Sequence, residues 1–263
     1  MEYVGYFAAM IIGIALGLIG GGGSILTVPI LVYLFNIDPE TATSYSLFVV
    51  GVTALVGSYR YFNLGYLKLR QAAYFGLPSI ISLLLMRNIL MPIIPESLFV
   101  IGQTMISKSV LIMLIFALLM IAASYSMIKK SSGSSADDSL PDFRKLVMVG
   151  FIIGIIIGFL GAGGGFLIIP ALLIFGKLSM KQSVGTSLLI IAVNSLIGFG
   201  GDLVSGLEIK GMLLVIILIM AIIGMFIGTI ISKRINGAAL KPAFGWFILL
   251  MGSYIIIKEL FFH

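Results

Sequence analysis

Hydrophobic residues run through this chain in eight long blocks, roughly 4–35, 42–59, 71–94, 98–128, 146–175, 182–203, 211–232 and 243–260. Most of the charged residues fall in the gaps between them. The blocks are continuously apolar rather than alternating, so each predicts a buried helix and not a half-exposed strand. Crossing a bilayer core ~30 Å thick takes ~20 residues of helix. The first and fifth blocks hold about thirty residues each, or ~45 Å of straight helix. Both are interrupted by glycine, at Gly20-Gly21-Gly22-Gly23-Ser24 and at Gly161-Ala162-Gly163-Gly164-Gly165. Each therefore predicts either a long broken span or a re-entrant hairpin that turns back at its glycines.

The two interruptions belong to a longer repeat. Gly13, Gly17 and Gly20 recur as Gly154, Gly158 and Gly161, and Pro29 recurs as Pro170, 141 positions on. The same register pairs Ser46 with Ser187 and sets Leu55, Gly57 and Gly65 against Leu196, Gly198 and Gly206. A single Ser/Asp-rich stretch, residues 129–145, reads as a solvated linker. It divides an N-terminal repeat, 1–128, from a C-terminal one, 146–263. The first repeat also carries an extra polar-apolar loop, Arg87 to Lys108, where the second has only Ser232 to Pro242.

Composition places these helices. The chain is 60% hydrophobic and 10% charged, with a mean hydropathy of +1.22; soluble domains carry roughly a quarter charged residues. This is an all-α polytopic membrane protein partnered by the lipid bilayer. Its net charge of +6 sits between the apolar blocks rather than in one patch, which speaks for membrane orientation and against nucleic acid. With zero cysteines and one histidine, His263, disulfides, thiolate or His metal sites and Cys or His catalysis are excluded. No cofactor is implied. The N-terminus lacks the basic region of a cleaved signal peptide and is expected to stay in the first segment.

The basic residues also arbitrate between eight straight spans and six spans plus two hairpins. Straight spans divide them almost evenly between the two sides. Hairpins put Arg60, Lys68, Arg70, Lys129, Lys130, Arg144, Lys145, Lys177, Lys181, Lys233, Arg234 and Lys241 on one face. Only Arg87, Lys108, Lys210 and Lys258 are then left on the other. The positive-inside tendency favours hairpins, a cytoplasmic linker and external termini. Each half then has an odd number of crossings, so the pseudo-symmetric repeats are inverted, a recurrent transporter plan.

Consecutive glycines are not needed for helix contact, which spaced pairs such as Gly13/Gly17, Gly154/Gly158 and Gly224/Gly228 supply. At a helix start they expose unpaired N–H groups and the positive end of the macrodipole to a ligand. Gly20, Gly21, Gly22, Gly23 and Ser24 in one half, and Gly161, Gly163, Gly164 and Gly165 in the other, are thus candidates for an anion site without Lys or Arg. Ser44, Ser46, Thr186, Ser187 and Asn194 offer the side chains to complete it. Arg87 near a block end is expected to snorkel to the interface, with an anion gate as the alternative. Asp202 reads as a solvated cap, with a proton relay as the alternative. Met113, Met120 and Met127 read as a packing stripe, and Trp246 as an interfacial anchor. No base exists to activate Ser24, so an intramembrane enzyme is disfavoured.

Gly17-Leu18-Ile19-Gly20-Gly21-Gly22-Gly23 through Val28-Pro29, its counterpart Gly158 to Pro170, and Val184-Gly185-Thr186-Ser187 resemble the sulfite exporter TauE/SafE family. The resemblance covers both repeats. It implies a plasma-membrane carrier of seven or eight spans for sulfite, sulfonates or related sulfur-containing anions. The first repeat departs from the pattern with Ser44-Tyr45-Ser46 where the second has Gly185-Thr186-Ser187. The expectation is a small-anion transporter that binds near the midplane and alternates access by rocking one half on the other. H⁺ and Na⁺ are the candidate coupling ions, and a homo-oligomer is compatible. An anion channel and a non-transporting scaffold are the alternatives.

Overall fold

The computed structural model describes residues 2–19, 22–95, 97–101, 104–128, 141–160, 163–206, 211–232 and 237–261. They form α1 (Glu2–Ile19), α2 (Gly22–Phe35), α3 (Pro39–Asn63), α4 (Leu69–Leu85), a π-turn (Met86–Leu90), α5 (Met91–Ile93), β1 (Ser97–Ile101), β2 (Thr104–Ser107), α6 (Lys108–Ile128), α7 (Phe143–Leu160), α8 (Gly165–Ile174), α9 (Met180–Val204), α10 (Gly211–Ser232) and α11 (Gly237–Phe261). Five of the described helices are long and apolar enough to cross a membrane.

The two glycine-broken blocks turn back on themselves. A Cβ on Gly5, at the start of α1, would strike the Phe35 ring at the end of α2. The rings of Tyr6 and Phe35 lie 5.7 Å apart. Deeper in, Gly23 faces the Ile12 carbonyl and Leu16. α1 and α2 are thus antiparallel arms of one hairpin. In the second half the Asp142 amide, before α7, donates to the Phe175 carbonyl, after α8, at 3.1 Å, and Gly164 packs against Ile157.

Local signals set the next helices at matching places. Asp38 caps α3 by accepting from the amides of Glu40 and Thr41, and Ser179 caps α9 through a capping box with Gln182. Asn36 (φ 50) and Lys177 (φ 51) close the preceding arms in the left-handed region, as Gly65 (φ 74) and Gly206 (φ 94) do after α3 and α9.

The extra loop differs from expectation. The apolar block 98–128 is not one helix: its start forms the β1–β2 hairpin, pairing Phe99 with Ile106 and Ile101 with Thr104. The run Phe99-Val100-Ile101 combines aromatic and β-branched residues next to Gly102, which favours a strand and turn over a helix. Before it, α4, the π-turn and α5 form one helical rod, Leu69–Ile93.

Packing interlaces the halves. α1 packs on α10, α4 on α7, α3 on α9 and α6 on α11, while α2 touches α8. The spaced glycines make the first two seams. Gly13 and Gly17 lie against Ala221, Met225 and Thr229, and Gly224 and Gly228 against Met10 and Ile14. On the other seam Gly150, Gly154 and Gly158 lie against Phe75, Ser79, Ser82 and Leu83. Met113 and Met120 are core residues and Trp246 is exposed; the side chain of Met127 lies outside the described residues.

Candidate functional site

α3 and α9 cross antiparallel at the centre, where Gly51 meets Ser195 and Leu196, Gly57 meets Leu188, and Gly185 meets Tyr61. Two ends of the bundle follow from this crossing. At one end α1, α3 and α10 finish beside the start of α9; this is the Arg60 end. At the other, the α4 rod, α7 and α9 finish beside the start of α3; this is the Arg87 end.

The glycine turns lie on opposite sides of mid-height. The first follows α1, whose Gly17 is level with Gly228 and Thr229, and so faces the Arg60 end. The second follows α7, whose Gly158 is level with Leu83 and Met86, and faces the Arg87 end. Gly23, in the first turn of α2, and Gly163, Gly164 and Gly165, at the start of α8, are buried. Gly20, Gly21 and Gly161 are outside the described residues, as is the side chain of Ser24; Gly22 is the first residue of α2. Gly163 (φ 63) and Gly164 (φ 65) take the left-handed conformation that reverses the chain. The Gly164 carbonyl accepts from Leu167 and Ile168 at 2.9 and 3.0 Å. The amides of Gly165 and Phe166 precede the first helical hydrogen bond and face outward from the positive end of α8. Pro29 and Pro170 lie inside α2 and α8. Each removes an N–H, leaving the carbonyl four residues earlier without its helical partner.

The predicted side chains fall into three levels. Ser44 and Ser46 are at the Arg87 end of α3, Thr186 and Ser187 at the Arg60 end of α9, and Asn194 at the centre. All five are buried. The Thr186 hydroxyl accepts from the Lys68 amide at 3.1 Å, and the Ser187 hydroxyl donates to the Val184 carbonyl at 2.9 Å; both serve the backbone here. Asn194 Nδ2 donates to Ser79 Oγ at 2.6 Å. Four atoms remain: Ser46 Oγ, Asn194 Oδ1, Ser195 Oγ and Ser183 Oγ are buried without a hydrogen-bond partner among the described residues. They are spread along the α3–α9 crossing from the Arg87 end to the Arg60 end. An unsatisfied buried polar group costs ~1–3 kcal/mol, so these four atoms are open to a polar partner beyond the described residues. A groove of about 510 Å³, lined by Leu55, Val56, Tyr59, Phe62 and Leu189 among others, is apolar and does not suit an anion.

Two residues have larger roles than sequence reasoning assigned. Arg87 does not snorkel: it is 8% exposed, and its Nε and Nη2 donate to the Asp202 carboxylate at 2.7 and 2.5 Å. Asp202 is correspondingly no free cap. The same guanidinium donates to Ser44 Oγ at 2.9 Å and to the Gly158 carbonyl at 3.4 Å. Arg87 sits in the π-turn, a feature that recurs at functional sites. The available signal was depth: the hairpin arrangement already places Arg87 and Asp202 at the same membrane face. At the opposite end Arg60 donates to the Thr229 hydroxyl, a short contact joining α3 to α10.

The family model for "Sulfite exporter TauE/SafE" matches residues 6–255. A "Probable membrane transporter protein" of Xylella fastidiosa (strain Temecula1) is 28% identical over 95% of this chain and 92% of its own length. "Probable membrane transporter protein YdhB" of Bacillus subtilis is 25% identical over 89% of this chain and 91% of its own. A Methanocaldococcus jannaschii relative with a corresponding description is 24% identical, over 94% and 92%. With that family's model matching from residue 6 to residue 255, the chain belongs to the sulfite exporter TauE/SafE family.

Proposed function

We propose that the protein carries a small sulfur-containing oxyanion, such as sulfite or a sulfonate, across the plasma membrane. The observation that carries this reading is the set of buried polar atoms along the α3–α9 crossing that have no partner among the described residues, with the buried glycines Gly23 and Gly163 to Gly165 starting α2 and α8. A bilayer-embedded bundle gains nothing by burying Ser46, Ser183, Ser195 and Asn194 unsatisfied unless something polar passes them. The turns contribute backbone N–H groups in a region without buried lysine among the described residues. Family membership supports the substrate class. The two halves are inverted repeats of six full spans and two hairpins, with α1 and α7 the longer hairpin arms. Recurrence of caps and left-handed residues 141 positions apart supports this, as do the reciprocal seams α1–α10 and α4–α7. The hairpin arrangement sets the linker in the cytoplasm and the termini outside. H⁺ and Na⁺ are the candidate coupling ions.

Purified protein in proteoliposomes is expected to accumulate labelled sulfite or an alkyl sulfonate with saturation and counterflow. Flux without counterflow indicates a channel, and no flux of sulfite, sulfonate, sulfate or phosphate rejects the reading. Ser46→Ala and Ser195→Ala separate transport from scaffolding. Removing an unpartnered hydroxyl should leave thermal stability unchanged or slightly raised while lowering flux severalfold. Normal flux in both variants would count against a role for this set.

A further inference from the structure

Arg87 is arranged as an anion receptor, and an anion of the chain itself occupies it. Its side chain is 6% exposed and grips both carboxylate oxygens of Asp202. A planar guanidinium presents that two-pronged fork to carboxylates and to other oxyanions alike. A third contact goes to Ser44 Oγ and a fourth to the Gly158 carbonyl. Gly158 precedes the second glycine turn by three residues, so the guanidinium stands at the mouth of that turn. The arrangement joins the α4 rod to α3, α7 and α9. A tie that only held these helices could be apolar at no loss of stability. At the other end the arginine that joins two helices, Arg60, meets a hydroxyl, that of Thr229, and not a carboxylate. The positions in register with Arg87 and Asp202 are Gly228 and Tyr61, so the repeat does not dictate the pair.

We infer that Arg87 is a substrate-binding residue and that the Asp202 carboxylate is its resident stand-in. An oxyanion arriving at this end displaces Asp202 from the guanidinium, and Asp202 returns when the anion leaves. The carboxylate has an edge to leave by: Asp202 lies in the last turn of α9 with its side chain 15% exposed. No covalent bond changes; one anion replaces another on a fixed cation. Ser44, predicted as a site residue, then serves by holding the guanidinium in place.

This inference rests on the anion-transport reading, and sulfite flux in proteoliposomes tests the two separately. Asp202→Asn keeps the side-chain shape and removes the competing charge. It should lower KM for sulfite about tenfold, the order of one charge pair lost from a buried site. Arg87→Lys keeps the charge but loses the fork, and should raise KM by a similar factor. Sulfite should also raise the melting temperature of detergent-solubilised Asp202→Asn more than that of the wild type. Wild-type flux combined with an unchanged or higher KM in Asp202→Asn overturns the inference and leaves the transport reading standing. No wild-type flux removes both. If Asp202→Asn does not accumulate, Arg87→Lys decides: a wild-type KM there overturns the inference.

Discussion

Gly154→Ala should destabilise the protein by several kcal/mol although it adds one methyl group. The added Cβ would fall on the Ser79 carbonyl oxygen and the Ser82 hydroxyl of α4. A flexible side chain could turn away, but a helix carbonyl cannot without breaking its own hydrogen bond. The α4–α7 seam therefore has to open, and the contacts of Gly150 and Gly158 along the same seam go with it. Overpacking a well-fitted core costs ~1–3 kcal/mol when side chains can repack; a backbone obstacle takes the upper end or more. Gly200→Ala is the control, because a Cβ there meets nothing within 4 Å. It should be neutral or stabilise by up to ~1 kcal/mol through helix propensity. Thermal unfolding of the solubilised variants compares them directly. Equal melting temperatures for Gly154→Ala and Gly200→Ala would show that the seam is looser than described.

The second large effect concerns the charge pair as a structural element. Asp202→Ala leaves the Arg87 guanidinium buried and opposed only by Ser44 and the Gly158 carbonyl. Stranding one member of a buried ion pair costs ~3–5 kcal/mol. Arg87→Ala strands a carboxylate that is 15% exposed, so hydration recovers part of the loss and the effect should be smaller. The double variant Arg87→Met/Asp202→Leu should restore most of the stability of either single one, because two apolar side chains of similar volume satisfy the site. It should still fail to transport. A double variant less stable than both singles contradicts the coupling drawn here.

Much of the architecture was legible in the chain. The spacing of Gly13 with Gly17 and of Gly224 with Gly228 announced close helix contacts. The length of the glycine-broken blocks left a broken span or a turn-back open, and the distribution of the basic residues favoured the turn-back. The glycine spacings are local signals: each depends on residues within one or two helical turns. The β1–β2 hairpin was hidden, since Leu98 to Ile101 is as apolar as the helix that follows and hydropathy does not separate strand from helix over so few residues. The pairing of Arg87 with Asp202 was hidden for another reason. Each had a sufficient local explanation at a block end, and only the packing of α4 beside α9 makes them partners. The division of the candidate side chains among three levels was hidden as well. That Thr186 and Ser187 satisfy backbone groups while Ser46 satisfies none depends on hydrogen-bond geometry that no spacing encodes.

The interlaced seams constrain how such a machine can move. Each half lends its first helix to the other: α1 lies on α10, and α7 lies on α4. Two jaws made of the two halves could not swing apart, because each is clamped by a helix of the other along a glycine-smoothed surface. The glycine seams hold α1 to α10 and α4 to α7, so the units they define are mixed pairs drawn from both halves, with the α3–α9 crossing between them. A bundle clasped in this way favours displacement of one mixed pair against the other over a swing between the two halves.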